Sequence, residues 1–175
     1  METIKVKYID KDLTQIEKIE QGDWLDLRVS RVDKFLGMKD GELEYLVEDD
    51  RLDYFNSQFK QGTKLVYEKG DIIRFGLGVA MELPEGYEAY IVPRSSTRKS
   101  TGLIQTNSVG IIDNSYSGDE DEWLVEFYAI HDGSIEYDQR VCQFRIQERM
   151  PKVNIDIVDH LGNEARGGYG TTGDK

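Results

Sequence analysis

The sequence predicts an all-β fold, a sandwich or a barrel, and three observations support this prediction. Apolar and polar residues alternate with period two in several short segments, for example in 123–128 (WLVEFY). Clusters of Gly, Asp and Asn separate these segments, as is typical of strands joined by tight turns. The chain has 17 glycines and only three prolines, so its turns depend on glycine. We expect such turns at 83–86 (LPEG), 69–71 (KGD) and 132–133 (DG).

Three further segments alternate in the same way and are also predicted to be strands. Successive side chains of a strand point to opposite faces, so one face of each segment is expected to be apolar. The apolar positions are Ile4, Val6 and Tyr8, then Cys142, Phe144 and Ile146, and finally Val153, Ile155 and Ile157.

One stretch, residues 49–60 (DDRLDYFNSQFK), has helical spacing instead. Leu52, Phe55 and Phe59 recur at intervals that put them on one face of a helix. Asp49 or Asp50 is suited to cap its start, and Gly62 is suited to end it. The pattern predicts a short amphipathic helix.

Composition limits the classes of function. The 175 residues, 38% of them hydrophobic, predict one domain with a sizeable core. A net charge of −12 disfavours binding to nucleic acid or anionic membranes, and no apolar run is long enough to span a bilayer. A single cysteine and a charged N-terminal segment favour a cytoplasmic protein without a signal peptide. One cysteine and two distant histidines also argue against a zinc site.

The segment 108–118 (SVGIIDNSYSG) contains the first candidate catalytic residues. Asp113 follows an apolar pair at a predicted strand end, where a fixed carboxylate can accept a proton from water. Tyr116 offers a flat face on which a sugar can pack. An ordinary hairpin with Asp-Asn-Ser turn chemistry explains the segment equally well when it is considered alone.

Two other segments offer polar groups at predicted strands. Residues 92–96 (VPRSS) combine a guanidinium, two hydroxyls and free backbone N–H groups, which suit phosphate oxygens. Gln143 lies among apolar residues in 139–146 (QRVCQFRI), where its amide needs partners. A structural hydrogen bond or a positioned water molecule could supply them.

Residues 166–173 (RGGYGTTG) contain a literal G-x-G-x-x-G. No helix follows and no βαβ unit surrounds it, so a dinucleotide-binding loop is excluded. A glycine-rich arm with Arg, Tyr and two Thr could instead close over a nucleotide.

The order of these segments resembles that of the trimeric dUTPase family, in particular phage and prophage members from Gram-positive bacteria. The resemblance implies a dUTPase-like β-barrel or jelly roll of the β-clip type, and hydrolysis of dUTP to dUMP and pyrophosphate. It also implies a homotrimer whose active sites are shared between chains. The five family motifs match residues 24–30 (WLDLRVS), 93–96 (PRSS), 102–118 (GLIQTNSVGIIDNSYSG), 140–144 (RVCQF) and 166–173.

The resemblance implies roles for the residues of the third motif. Asp113 would be the general base that activates the water attacking the α-phosphorus. Tyr116 would pack under the deoxyribose and exclude a 2′-hydroxyl. The uracil edge would be read by Asn107 and by the backbone of Gly110, Ile111 and Ile112.

The first, second and fourth motifs would serve the phosphates. Arg94, Ser95 and Ser96 would bind phosphate oxygens, and Gln143 would help to place the attacking water. Asp26 would act on a Mg²⁺ ion through coordinated water while the ion chelates the triphosphate. The first motif departs from the usual family pattern because 23–26 (DWLD) lacks the glycine next to the aspartate.

We expect a single barrel domain at residues 1–161 and a flexible C-terminal arm at 162–175. Family resemblance implies that the arm closes over the active site, with Tyr169 over the uracil. The arm residues implied to contact the nucleotide are Arg166, Tyr169, Thr171 and Thr172.

Residues 34–62 look inserted between the first and second motifs, and they carry the predicted helix and two acidic runs. In one interpretation they are a surface elaboration that packs the helix on the barrel. In the other they bind a protein partner, because some phage dUTPases bind a repressor protein.

Two alternative functions remain open. One is a dCTP deaminase, or a bifunctional deaminase-dUTPase, on the same fold. Glu126 is the candidate for its base-directed glutamate, although 119–122 (DEDE) displaces it from that pattern. The other is a regulator with the dUTPase fold that acts by binding a protein through the insertion.

Overall fold

The computed structural model describes residues 1–18, 20, 22–40, 42–165 and 167, and this part of the chain is mostly β-strand. No helix within these residues is long and apolar enough to cross a membrane. The all-β prediction is confirmed. The strands are β1 Lys5–Tyr8, β2 Leu25–Arg28, β3 Arg31–Lys39, β4 Glu42–Tyr45, β5 Leu65–Tyr67, β6 Ile72–Gly76, β7 Val79–Glu82, β8 Tyr87–Pro93, β9 Leu103–Gln105, β10 Gly110–Ile112, β11 Leu124–Ala129, β12 Gly133–Ile135 and β13 Arg140–Glu148. The helices are α1 Asp49–Lys60 and α2 Thr97–Thr101.

Two antiparallel sheets form the body of the molecule. The first has the strand order β10-β8-β13-β2, and the second has the order β4-β3-β6-β11-β9. Two smaller ladders pair β1 with β7 and β12 with β5. In the described residues β10 and β2 are therefore the edges of the first sheet, while β8 and β13 lie at its centre. This order positions the candidate site.

One apolar core contains residues of both large sheets. Trp123 packs edge-on against Phe144, with ring centroids 5.1 Å apart, and Phe75 lies 6.2 Å from Phe127. All four side chains are fully buried. Burying each stabilises the fold by about 1.5–3 kcal/mol, which explains why the alternation at β11 and β13 predicted these strands correctly.

The helix α1 has the predicted bounds, and its apolar face packs on the body. Phe59 is fully buried, and Leu52 and Phe55 are partly buried against the core. The proposed cap was wrong: Glu48 occupies the N-cap position, and Asp49 and Asp50 lie in the first turn. Carboxylates in the first turn stabilise a helix through its dipole, so they need not be the cap itself.

Polar contacts also attach α1 to the body. The Asn56 side chain donates to the carbonyl of Val32 and accepts from its N–H, at 2.9 and 2.8 Å. Lys60 Nζ lies 2.6 Å from Oδ1 of the buried Asp10. Residues 34–39, the start of the presumed insertion, continue β3 and pair with β4 and β6. The insertion is therefore built onto a central strand.

The predicted strand at 153–157 is not formed, and residues 149–165 are exposed and without regular structure. Val153, Ile155 and Ile157 are 57%, 83% and 94% exposed. The prediction fails because alternation produces a strand only where a neighbouring strand offers hydrogen bonds. No other described strand of this chain pairs with the segment.

Candidate active site

Asp113 directly follows β10 and is exposed. Its Oδ1 accepts a hydrogen bond from the backbone N–H of Ser115 at 2.7 Å and another from the Ser115 hydroxyl. The Ser115 hydroxyl and backbone bonds hold the pKa of Asp113 below its ordinary value. The carboxylate is therefore ionised at neutral pH, as a proton acceptor must be. The sequence indicates Ser115 only as part of the turn chemistry of this segment and predicts no functional role for it; an aspartate that accepts from the backbone N–H two residues on is a known turn pattern.

The loop that follows Asp113 is attached to the body at two points. Asn114 Nδ2 donates to the carbonyls of Leu83 and Pro84 at 3.1 and 3.0 Å. The Tyr116 hydroxyl donates to the carbonyl of Glu122 at 3.0 Å, and burial raises the pKa of Tyr116. The Tyr116 side chain remains 39% exposed. Its ring is thus fixed at the hydroxyl end and still available for packing.

Asn107 lies in the turn between β9 and β10 and is exposed. Its Oδ1 accepts a hydrogen bond from Gln105 Nε2 at 2.9 Å. Gly110 pairs with Ile91 of β8, and a Cβ at Gly110 would meet Ile91 Cβ at 3.3 Å, so glycine suits this close approach. Among the described residues β10 pairs only with β8, on one side, so the N–H and C=O groups of its outer edge are unpaired within this part of the chain.

Asp26 lies on β2 between two guanidinium groups. Arg94 Nε donates to its Oδ1 at 2.7 Å, and Arg140 Nη1 donates to its Oδ2 at 3.0 Å. The Asp26 side chain is 18% exposed, so this is a largely shielded cluster. Sequence reasoning assigned no role to Arg140, which reaches Asp26 from beside an irregularity in the β13–β2 register between residues 140 and 142.

Gln143 joins this cluster through strand register. It lies on β13 opposite Asp26 of β2 on one side and opposite Val92 of β8 on the other. Directly opposed residues of antiparallel strands share one face, so the side chains of Gln143 and Asp26 are neighbours.

Ser95 and Ser96 follow β8 and are exposed, and Ser96 precedes α2 without a side-chain cap hydrogen bond. Both hydroxyls are accessible for a ligand.

The two groups of candidate residues lie at opposite ends of β8. Ile112 pairs with Ala89, so Asp113 falls near the first residues of β8, whereas Arg94 follows its last residue. A strand of seven residues spans roughly 20 Å at about 3.3 Å per residue. One chain therefore does not bring Asp113 together with Arg94, Asp26 and Gln143. The predicted arm residues Arg166, Tyr169, Thr171 and Thr172 lie outside the described residues.

No group of three or more His, Cys, Asp or Glu side chains in the described residues is arranged to hold a metal ion. Asp26 is a single carboxylate that already accepts from two arginines. It keeps lone pairs for a water molecule, since a carboxylate has about four acceptor sites. This donor set fits an ion that is bound mainly by phosphate oxygens and reached by Asp26 through water, as Mg²⁺ commonly is.

Glu126, the alternative catalytic residue, lies on β11 and is half-buried. Its Oε1 accepts a hydrogen bond from the Thr106 hydroxyl at 3.1 Å, and its backbone carbonyl accepts from the Thr106 N–H. Glu126 thus contacts the residue next to Asn107, in the turn between β9 and β10.

Residues 3–149 match the model of the dCTP deaminase-like family. The chain is 46% identical to the SPbeta prophage-derived deoxyuridine 5′-triphosphate nucleotidohydrolase YosS of Bacillus subtilis, over 98% of this chain and 99% of that protein. The fold is similar to the dUTPase of Staphylococcus bacteriophage 80alpha, solved with dUpNHpp. That match has a TM-score of 0.65 at 16% identity and covers 98% of both chains.

A second solved structure with this fold is the dUTPase of phage phi11 of S. aureus, which coordinates a structural Mg(II) ion. Its TM-score is 0.57 at 14% identity, over 91% of this chain and 98% of that one. The jelly-roll fold expected from the motifs is therefore confirmed. The family model matches most of the chain, and the Bacillus relative aligns with it over nearly the full length of both proteins. The chain therefore belongs to the dCTP deaminase-like family and to its dUTP nucleotidohydrolases (dUTPases).

Proposed function

We propose that this protein hydrolyses dUTP to dUMP and pyrophosphate, with Asp113 as the general base for water attack on the α-phosphorus. The observation that carries the proposal is the state of Asp113. Its carboxylate is exposed, its pKa is lowered by Ser115, and it directly follows β10, whose outer edge has no partner strand in the described residues. An ionised carboxylate beside a base-reading strand can take a proton from a water held next to the nucleotide.

Uracil recognition follows from the chemistry of the β10 edge. The uracil edge presents an acceptor, a donor and an acceptor in a row, and a strand edge offers N–H and C=O groups with which to pair them. Gly110, Ile111 and Ile112 supply this edge, and the exposed amide of Asn107 adds a side-chain contact. The ring of Tyr116, held at its hydroxyl, would pack under the deoxyribose and leave no room for a 2′-hydroxyl.

The phosphates would be bound by the Asp26 cluster, which consists of Asp26, Arg94 and Arg140, and by its neighbours. Arg94 keeps two terminal nitrogens as donors beyond the Nε that pairs with Asp26. Ser95 and Ser96 add hydroxyls, and Gln143 would orient the attacking water. Mg²⁺, held by the triphosphate and by Asp26 through water, would supply neutralisation of the phosphate charge.

The site is proposed to be shared between the chains of a homotrimer. Asp113 and the Asp26 cluster lie about 20 Å apart along β8, which is too far for one dUTP to contact both within a chain. The exposed apolar side chains at 149–165 support the same proposal, because such a segment needs a neighbouring surface to cover it. The arm at 162–175 would then close over a site that the 1–161 domains of other chains build. The arm residues proposed to contact the nucleotide are Arg166, Tyr169, Thr171 and Thr172.

The match to the dCTP deaminase-like family model favours a second candidate function, deamination of dCTP. Glu126 is a half-buried carboxylate that contacts Thr106, next to Asn107. Ammonia release from dCTP would support this candidate. Its absence, with active turnover of dUTP in the same preparation, would exclude it.

The exposed apolar surface of the insertion favours an additional protein partner. Met38, Leu43, Tyr45 and Leu46 of the β3–β4 hairpin are each about half exposed, and Tyr54 of α1 is 73% exposed. Deleting 34–62 would remove part of β3 and the buried Phe59, so substitutions are the better test. Tyr54→Ser with Leu43→Ser should abolish capture of a partner and leave dUTP hydrolysis intact. A partner still captured by that variant would contradict this use of the insertion.

The main proposal is tested by pyrophosphate release from dUTP, dTTP, dCTP and UTP, each with and without Mg²⁺. We expect dUTP to be strongly preferred and Mg²⁺ to accelerate its turnover. Rates that do not favour dUTP would overturn the proposed function. Light scattering of the active protein tests the trimer, and full activity in a monomer would contradict the shared site.

A further inference from the structure

Gln105 is a buried polar residue that has no part in the reaction described above. It ends β9 and is 6% exposed. Its Nε2 donates to the carbonyl of Ile91 at 3.2 Å and to Asn107 Oδ1 at 2.9 Å, so it links the two large sheets to the β9–β10 turn. Its Oε1 is buried and has no hydrogen-bond partner among the described residues. An unpaired buried acceptor costs about 1–3 kcal/mol, so packing alone would favour an apolar residue here.

The three groups determine which way the Asn107 amide faces. The carbonyl of Ile91 can only accept a hydrogen bond, so the nitrogen of Gln105 must face it. That nitrogen can only donate, so Asn107 must turn its oxygen toward Gln105. The Asn107 Nδ2 is therefore directed away from Gln105, on an exposed side chain at the base-reading turn. The orientation of the Asn107 amide therefore follows from donor and acceptor chemistry alone.

We propose that Gln105 is a specificity-determining positioning residue that holds Asn107 as a hydrogen-bond donor toward the base and so favours uracil over cytosine. The inference rests on the proposed function, in which Asn107 reads the base edge. Uracil has a carbonyl acceptor at position 4, which matches an outward NH₂ group, and cytosine has an amino donor there, which opposes it. An Asn107 amide without Gln105 could turn and accept from cytosine instead.

The test replaces the donor of Gln105 with an apolar side chain of similar length, in the variants Gln105→Leu and Gln105→Met. We expect the ratio of kcat/KM for dUTP to kcat/KM for dCTP to fall roughly tenfold, as a lost orientation worth about 1.4 kcal/mol would produce. The change should come from KM, with kcat for dUTP unchanged, because Asn107 does not contact the reacting phosphate. Gln58→Leu, the same change at a half-buried site on α1, is the matched control and should keep the wild-type ratio.

Binding measurements separate this inference from the proposed function. Calorimetric titration with dUMP and dCMP reports the same preference without turnover. If wild-type protein fails to hydrolyse dUTP, the proposed function fails. The role of Gln105 is still tested in that case, because loss of the dUMP preference in the variants supports it. Folded variants that keep the wild-type preference would overturn it. Should neither variant fold, the ¹⁵N spectrum of wild-type protein decides, because the Asn107 side-chain amide must shift when dUMP binds and an unchanged signal contradicts the inference.

Discussion

Asp26 and Asp113 are both carboxylates of the candidate site, but their surroundings differ completely. Each oxygen of Asp26 accepts from an arginine, and the side chain is 18% exposed. Asp113 is exposed, and its only described side-chain partner is the hydroxyl of Ser115. Both oxygens of Asp26 accept from guanidinium groups and so position them, whereas Asp113 accepts the two described bonds from Ser115 through Oδ1 and keeps Oδ2 for a proton. Two residues of the same type thus differ in environment, and that difference is the reason why Asp113 is proposed as the base and Asp26 as the residue that positions the arginines.

The largest expected effect is that of Asp113→Asn. The amide cannot accept the proton of the attacking water, so kcat for dUTP should fall by about 10²–10⁴. Binding should persist, because the proposed uracil and phosphate contacts are made by other residues, and titration with dUMP measures this. Substantial turnover by the variant would mean that the base lies elsewhere and that the comparison with Asp26 is wrong.

A third carboxylate extends the comparison to stability. Burial alone would raise the pKa of Asp10, but hydrogen bonds from Lys60 and Ser30 outweigh it and keep the pKa below its ordinary value. Lys60→Met would leave Asp10 without its cation and should lower the free energy of unfolding by about 2 kcal/mol, after allowance for the partial exposure of Lys60. Urea denaturation measures the change, and Lys5→Met, which breaks an exposed pair with Glu82, is the control.

The sign of the pH dependence tests the same pair. Because the folded-state pKa of Asp10 is depressed, its contribution to stability is present above about pH 4 and is lost as the pH falls through the lowered pKa. The difference in stability between wild type and Lys60→Met should therefore shrink on acidification. A difference that is constant down to low pH would show that Lys60 acts through packing of its alkyl chain.

Asp26→Asn should have a smaller effect on turnover than Asp113→Asn. The amide offers one acceptor oxygen to two guanidinium groups, so Arg94 is held less firmly and KM for dUTP should rise roughly tenfold, the cost of one charge-assisted hydrogen bond. The value of kcat should change less than KM, which steady-state kinetics resolves. If kcat collapses as it does in Asp113→Asn, Asp26 takes part in the chemistry directly.

Sequence periodicity predicted β1, β11, β13 and α1, because period-two alternation in a strand and three-to-four-residue spacing in a helix each place apolar side chains on one face. The same alternation at Val153, Ile155 and Ile157 did not produce a strand within this chain. An apolar pattern indicates that a surface is buried, but it does not indicate whether the same chain or another chain buries it. The sequence alone cannot make that distinction.

The candidate site residues from Asn107 to Tyr116 could be proposed from the sequence because they are adjacent in it. The partners of those residues could not. Arg140 meets Asp26 across the β13–β2 ladder, where the register shifts between residues 140 and 142. Gln105 meets Ile91 across two sheets. Such pairs depend on strand register and sheet packing, which alternation leaves undetermined.

The smallest expected effect is that of Ser115→Ala, and it tests the Asp113 half of the comparison most directly. The Ser115 hydroxyl is the largest cause of the lowered pKa of Asp113, so its removal should raise that pKa toward the ordinary aspartate value of about 4. The base acts when deprotonated, so the acidic limb of the kcat/KM profile should move to higher pH in the variant, while activity near neutral pH stays close to wild type. Ser117→Ala, two residues further along the same loop, is the matched control. An unshifted acidic limb in Ser115→Ala would mean that Asp113 is not the group whose ionisation limits the reaction, even if Asp113→Asn is inactive.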